Sequence, residues 1–108
     1  MARYMVEFSY TKEAAGALVK KPEDRSAVVG ELIGKLGGRL LDFYYTFGDY
    51  HGVLIAELPD NVAALAVDMA AVAPGHISKI KTTVLLTPQE AMAAMQKAGD
   101  LALRPPGA

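Results

Sequence analysis

The stretch from residue 39 to residue 58 restricts the possible folds most, because two apolar segments in it flank the pair Gly48-Asp49. Aromatic and β-branched residues that alternate with other residues at period two are typical of strands. A glycine in the first position of a two-residue loop suits a tight hairpin turn. The sequence therefore predicts antiparallel strands over residues 39–47 and 50–58, joined by a turn at Gly48 and Asp49.

Two further strands are predicted outside this hairpin. Residues 3–10 alternate at period two, so that Tyr4, Val6, Phe8 and Tyr10 share one side. A fourth strand is predicted over about residues 77–86.

Helix signals separate the strands. Pro22 suits a first helical position and predicts a helix that ends at Gly37, with this glycine in the left-handed conformation. The Pro59-Asp60-Asn61 segment predicts a second helix that begins with an acidic cap and ends before Pro74-Gly75. Because Gly16 and the Lys20-Lys21-Pro22 segment disfavour a longer helix, residues 11–20 are predicted to form only a short helical connector.

The C-terminal part of the chain predicts a third main helix and a tail. The sequence Thr87-Pro88-Gln89-Glu90 is a capping box with proline at the first helical position, which predicts a helix to Gly99. The proline and glycine residues of 104–108 predict a frayed tail or an arm onto a neighbour. We expect a single domain over residues 1–99 and a tail over residues 100–108.

The order strand, helix, strand, strand, helix, strand is the split β-α-β pattern of ferredoxin-like domains. Right-handed crossovers place both main helices on one face of a four-stranded antiparallel sheet with strand order 4-1-3-2. The predicted class is therefore α+β, a ferredoxin-like βαββαβ domain with an extra C-terminal helix.

Composition narrows the function classes. The chain has 108 residues, no cysteine, and eleven Lys and Arg against twelve Asp and Glu, which gives a formal net charge of −1. A nucleic-acid or anionic-membrane partner is not expected without a basic field. Disulfides and zinc-thiolate sites need cysteine. The first residues lack the apolar core of a signal peptide and no apolar run approaches a membrane span, so a cytoplasmic protein is expected.

A turn at Gly48 and Asp49 fixes which side chains of the hairpin share a face. The face predicted to pack under the helices has the pairs Phe47 with Tyr50, Tyr45 with Gly52, Phe43 with Leu54, and Leu41 with Ala56. The other face, which is mixed, has the pairs Thr46 with His51, Tyr44 with Val53, Asp42 with Ile55, and Leu40 with Glu57. The outer strands add Met5, Glu7, Ser9, Lys79, Lys81, Thr83 and Leu85 to this mixed face.

The mixed face needs a cover, because an apolar patch of several hundred square ångströms usually marks an interface. Its apolar members include Met5, Val53, Ile55 and Leu85. Since the helices occupy the other face, the expected cover is a second copy of the chain. The polar members would then line a pocket between two sheets and orient a small ligand.

A family resemblance rests on Gly37-Gly38, Gly48, Tyr50, Pro59-Asp60 and the segment 81–88. With these residues, the chain resembles the GYD domain over about residues 3–95, a family of small, functionally uncharacterised bacterial and archaeal proteins. The resemblance implies a dimeric α+β barrel, with two sheets laid face to face. His51 stands where the family usually has Asp, which changes the charge near neutral pH from negative to neutral or positive and favours a more anionic ligand.

The candidate ligand-binding residues all belong to the mixed face: Tyr44, Thr46, His51, Glu7 and Lys81. An imidazole and a phenol could serve as acid, base or ligand contact. Alternatively, His51 bonds only to a neighbour, and Glu7 with Lys81 forms a structural salt bridge. No metal site is expected, because His51, His76 and the carboxylates match no known ligand spacing, and no cofactor motif is present.

Three functions remain open at this point. The first is an oligomeric small-molecule-binding module with a small, anionic metabolite between its sheets. The second is an enzyme that works without a cofactor, a monooxygenase or isomerase of the kind found among dimeric α+β barrels, with His51 and Tyr44 as acid-base candidates. The third is a structural or regulatory subunit that acts through assembly with itself.

Overall fold

The structure is a computed structural model, and it describes residues 1–107. Four strands and four helices follow in the order β1 (Ala2–Tyr10), α1 (Lys12–Lys20), α2 (Arg25–Lys35), β2 (Arg39–Tyr45), β3 (Gly52–Leu58), α3 (Asn61–Val72), β4 (Ile77–Leu85) and α4 (Pro88–Gly99). The strands form one antiparallel sheet of order β2-β3-β1-β4. This is the predicted ferredoxin-like order 4-1-3-2.

The first two helices differ from their predicted bounds. α1 is a full nine-residue helix rather than a short connector, because the Thr11 side chain accepts from the Ala14 backbone N–H and caps it. α2 begins at Arg25 and not at Pro22, since Asp24 is the cap and accepts from the Ser26 backbone N–H at 2.9 Å. Beyond the end of α2, Gly37 has φ of +80°, which confirms the predicted left-handed conformation.

The predicted caps of the two later helices are confirmed. Asp60 accepts from the Ala63 backbone N–H at 2.9 Å at the start of α3. Thr87 and Glu90 form a reciprocal capping box at the start of α4, with Pro88 in the first turn. Local sequence therefore sets both helix starts.

The hydrophobic core lies between the sheet and the helices α2 and α3. Its buried members are Tyr4, Val6, Phe8, Ile33, Leu54, Ala56, Leu58, Ala63, Ala64 and Val67. Those on β1 and β3 alternate with partly exposed residues, as predicted. Gly52 allows the Phe8 ring to approach β3 closely, because a Cβ at Gly52 would collide with that ring.

The register between β2 and β3 is confirmed in the middle of the hairpin and wrong at its open end. Four pairs agree with the prediction: Asp42 with Ile55, Phe43 with Leu54, Tyr44 with Val53, and Tyr45 with Gly52. Ala56 instead faces Leu40, and Glu57 faces Arg39, because the register shifts between Leu40 and Asp42. An extra residue in one strand leaves Leu41 unpaired and turns Leu40 toward the core.

α4 and the chain after it stand away from the sheet. The molecule measures 61 × 33 × 22 Å and its radius of gyration is 17.7 Å, against about 13 Å for a compact domain of this length. No side chain of α4 is buried, and Met92 and Met95 are more than half exposed. From Asp100 to Gly107 the chain forms no helix or strand, and Ala108 lies outside the described residues. The division into a domain over residues 1–99 and a tail stays a prediction.

None of the helices within residues 1–107 has the length and apolar character that crossing a membrane requires.

Candidate functional site

We call the sheet face opposite α2 and α3 the open face. Strand pairing places its side chains in rows that cross all four strands from β2 to β4. The three full rows are Asp42, Ile55, Met5 and Thr83; Tyr44, Val53, Glu7 and Lys81; and Arg39, Glu57, Arg3 and Leu85. The open face thus has an apolar centre between charged margins.

Within residues 1–107, no helix covers the apolar centre of the open face. Met5, Val53, Ile55 and Leu85 remain partly exposed, whereas the side chains of the same strands that face the helices form the core. Because contiguous apolar patches often mark interfaces, this centre is a candidate interface.

Three predicted site residues lie in one row of the open face. Glu7 is directly opposite Lys81, with Val53 between Glu7 and the exposed phenol of Tyr44. Glu7 and Lys81 do not form the structural salt bridge that was the alternative prediction. In the described part of the chain, no ion pair within 4.0 Å joins them. Both charges are therefore available to a ligand or a partner.

A charged cluster marks one margin of the open face. Glu57 lies between two arginines: its carboxylate is 2.7 Å from the Arg39 guanidinium and 3.6 Å from that of Arg3. The hydrogen bond from Arg39, above all, holds the pKa of Glu57 below its ordinary value. This carboxylate is already neutralised within the chain, so it is a weaker candidate for ligand binding than Glu7.

The loop over residues 46–51 replaces the predicted two-residue turn. The Thr46 hydroxyl donates to the Tyr50 carbonyl oxygen at 2.8 Å, and the buried Ser9 hydroxyl donates to the Asp49 carbonyl oxygen at 2.9 Å. The Tyr50 ring lies 4.5 Å from Lys79 Nζ in a cation–π contact. The loop therefore crosses the end of β1 and reaches β4, which no local sequence signal indicated.

Three aromatic residues of this region were wrongly predicted to belong to the core. Phe47 is fully exposed and Tyr45 is more than half exposed, while Tyr50 rests on Lys79 of the neighbouring strand. Strand alternation fails here because β2 ends at Tyr45 and the longer loop follows.

His51 lies at the end of the sheet, beside Thr46, as predicted: the Thr46 backbone N–H donates to the His51 carbonyl oxygen at 2.8 Å. Its Nδ1 accepts from the Tyr10 backbone N–H at 2.9 Å. In the neutral ring, this bond assigns the proton to Nε2, which is then a donor on an exposed residue. The ring has one structural contact and one nitrogen left for another partner.

The histidines and carboxylates do not converge on a metal site. Among residues 1–107, no group of three or more His, Cys, Asp and Glu side chains is placed to hold a metal ion. His76 is exposed before β4, and its carbonyl oxygen accepts from the Thr11 backbone N–H at 2.8 Å.

A cavity that the sequence did not indicate lies on the other side of the sheet, and we call it the helix-side cleft. It has a volume of about 430 Å³ and lies between the sheet and the helices α2 and α3. Its floor is apolar, with Val6, Phe8, Phe43, Leu54 and Ile80. The cleft depends on the separation of α2 and α3, which tertiary packing sets.

Polar groups gather at one end of the helix-side cleft. The Tyr10 and Tyr45 hydroxyl oxygens are 3.1 Å apart, and Arg25 and His76 lie beside Tyr10. Burial, and after it the hydrogen bond with Tyr45, raises the pKa of the Tyr10 phenol. Tyr10 therefore stays protonated and can act as a hydrogen-bond donor.

Comparisons with known proteins identify the domain and its fold. The family model described as GYD domain matches residues 4–95. The chain is similar to the solved structure of MtbAldR, with a TM-score of 0.56 and 13% identity, over 80% of this chain and 52% of that chain. It spans about half the length of that protein, and at this identity the likeness shows the fold alone.

A second solved structure, TTHA0845 from Thermus thermophilus, has a TM-score of 0.44 and 17% identity, over 81% of this chain and 95% of that chain. No curated protein matches the sequence.

Proposed function

This chain belongs to the GYD domain family, and from that premise we propose that it is a homo-oligomeric small-molecule-binding module. In this proposal two copies cover each other's open face, and a small, anionic metabolite lies between the two sheets.

The apolar centre of the open face is the observation that carries the proposal. Met5 and Ile55 are directly paired, Val53 is the next residue of β3 on the same face, and Leu85 lies diagonally from Met5 on β4. All four are partly exposed in the single chain. Covering them with a second copy removes apolar surface from water, which stabilises the dimer by about 25 cal/mol per Å² buried. A stable dimer buries roughly 1,200–2,000 Å² in total, which a four-stranded sheet face together with a helix can supply.

α4 supports assembly independently of the sheet. Met92 and Met95 lie three residues apart on one side of this helix and are more than half exposed. Leu101 and Leu103 beyond the helix are still more exposed. An amphipathic helix gains most of its stability from packing that side against another surface, and a neighbouring copy offers one.

The ligand would contact the polar members of the open face at the margins of the apolar centre. Lys81 supplies a positive charge, Tyr44 a phenol, and His51 its Nε2 donor, all suited to an anionic or hydrogen-bond-accepting group. Glu7 would accept from a hydroxyl or amine of the same ligand. Thr46 would act through its acceptor lone pairs, because its hydrogen is already donated to the Tyr50 carbonyl.

We expect light scattering at low micromolar concentration to give at least twice the monomer mass of 11.5 kDa. The variant Ile55→Lys should shift the protein to the monomer, because it would bury an unpaired charge in the sheet interface. Val62→Lys is the matched control, since Val62 is 78% exposed on α3, away from the open face. A wild-type monomer, or an Ile55→Lys dimer, contradicts the sheet interface.

We expect His51→Asn to lower the affinity for the ligand and to leave thermal stability nearly unchanged. The asparagine carboxamide oxygen can take the place of Nδ1 and accept from the Tyr10 N–H, while the Nε2 donor is lost. His51→Ala should lower both the affinity and the thermal stability. It also removes the hydrogen bond from the Tyr10 backbone N–H, and the loss of that bond costs about 0.5–1.5 kcal/mol of stability.

A thermal-shift screen of small organic anions and metal ions identifies the ligand, and calorimetry on the three proteins measures the dissociation constants. Equal affinities in wild type and both variants would leave His51 with its structural contact only.

A further inference from the structure

We propose that the helix-side cleft is a second binding site, separate from the open face, and that it takes an amphiphilic carboxylic acid. The carboxylate lies at Arg25 and the apolar part of the acid extends over the sheet. This site does not depend on dimer formation or on the ligand of the open face.

The dimensions of the cleft fit a small organic molecule. Its volume is about 430 Å³, within the range of roughly 300–1,000 Å³ that is typical of ligand pockets. The cleft exists because α2 packs mainly on β2 and α3 mainly on β4. These are the two edge strands of the sheet, so the two helices stand apart over its middle. Val28 of α2, at the mouth, is about half exposed.

The lining selects the body of the ligand. Apart from Arg25 and the ion pair of Glu31 with Lys35 on α2, the side chains from the sheet floor and both helices are aliphatic or aromatic. They include Val6, Phe8, Phe43, Leu54, Ile80, Val29, Leu32 and Val67. These groups offer dispersion contacts and no hydrogen bonds. They therefore favour an alkyl or aryl chain over a sugar or a nucleotide.

Arg25, Tyr10 and His76 are the polar residues that would bind the head group. They line the helix-side cleft and also a neighbouring cavity of about 290 Å³ beside α1, so the two cavities meet at these three residues. Arg25 forms an ion pair with Glu23, with 2.7 Å between a guanidinium nitrogen and Oε1. A carboxylate would therefore share the Arg25 charge with Glu23 and bind through the remaining N–H donors of the planar group. One of the paired Tyr10 and Tyr45 hydroxyls donates to the other, and the remaining O–H can donate to a carboxylate.

The other cation of the cleft is a weaker partner for the carboxylate. Lys35 follows Arg25 by ten residues on α2, which is about 15 Å along a helix. Its side chain is 74% exposed, against 28% for Arg25, and no tyrosine pair accompanies it among the lining residues. Water screens an exposed charge more strongly than a sheltered one. The acid should therefore bind in one direction, with its head group at Arg25.

Octanoate and octanol test whether the carboxylate binds at Arg25, because the two molecules have the same alkyl chain length and differ in the head group. We expect calorimetry to show that wild type binds octanoate more tightly than octanol. Arg25→Gln should weaken octanoate binding about tenfold or more, since hydrogen bonds to charged groups are the strong ones, and should change octanol binding little. Lys35→Gln, the matched control, should bind both as wild type does.

Val28→Trp tests the apolar part of the site. The indole should fill the mouth of the cleft and abolish binding of both probes, while the unfolding temperature and the mass in light scattering stay as in wild type. The proposal is overturned if wild type does not bind octanoate at millimolar concentration, or if Arg25→Gln and Lys35→Gln weaken it equally. A lower mass for Val28→Trp would assign the cleft to a second copy of the chain and overturn it too.

Discussion

Leu54→Ala should lower the free energy of unfolding by about 2–5 kcal/mol, the range for large-to-small changes that leave a cavity. Leu54 is 4% exposed and lies in the middle of β3. It faces the helices between Phe43 on one neighbouring strand and Val6 on the other. Its removal would enlarge the helix-side cleft at its floor, because the paired strands cannot move into the space without breaking their hydrogen bonds. Urea unfolding followed by circular dichroism measures the loss.

Thr46→Ala is the control for this prediction, because Thr46 lies in the same hairpin and is exposed. It loses one hydrogen bond, from its hydroxyl to the Tyr50 carbonyl, at a cost of about 1 kcal/mol or less. If Thr46→Ala destabilised the protein more than Leu54→Ala, the two faces of the sheet would be exchanged, as a register shift of one residue would require.

Gly38→Ala is expected to cost about 1–3 kcal/mol, as overpacking of a filled site does. Gly38 joins α2 to β2, and its backbone N–H donates to the Ile33 carbonyl oxygen at 3.0 Å. A Cβ at this position would collide with the Glu57 carbonyl oxygen and would lie 2.7 Å from Leu58 Cδ2. The backbone oxygen belongs to β3 and cannot move aside without disturbing the sheet. The measurement is again urea unfolding.

Gly34→Ala tests whether the collision, and not the loss of a glycine, causes this effect. Gly34 lies in α2, and a Cβ there would meet no atom within 4 Å. Alanine should stabilise this helix by roughly 0.5–1 kcal/mol, because glycine is a poor helix former. Equal and small effects of the two substitutions would show that β2 and β3 have room for a side chain at Gly38.

Local signals predicted the helix starts well where a single side chain decides them. Asp60 and Thr87 cap α3 and α4 as expected, since a cap needs only residues three positions apart. The start of α2 was predicted at Pro22 and lies at Arg25, because Asp24 competes with the proline signal as the cap. The proline signal and the cap signal are both adequate locally, and only the course of the backbone before and after them decides which one starts the helix.

The candidate site was predictable only in part, because some of its contacts join residues that are distant in the sequence. The open face follows from strand alternation, and the pairs around Tyr44, Val53 and Ile55 were correct. The loop over residues 46–51 depends on contacts with β1 and β4, which lie far away in the sequence, and no local pattern indicated the bulge at Leu41. Thr46 and His51 were placed correctly at the end of the sheet, but their contacts with the Tyr50 carbonyl and the Tyr10 N–H were not foreseen.

The sequence by itself determined the element order, the antiparallel sheet and the face of β1 and β3 that enters the core, because alternation and capping act over a few residues. Only the tertiary structure decided where the helices rest on the sheet. Their separation opens the helix-side cleft and brings Tyr10, Arg25 and His76 to one corner, from β1, α2 and the turn before β4. These residues are distant in sequence and share no local pattern, so their meeting follows from packing alone.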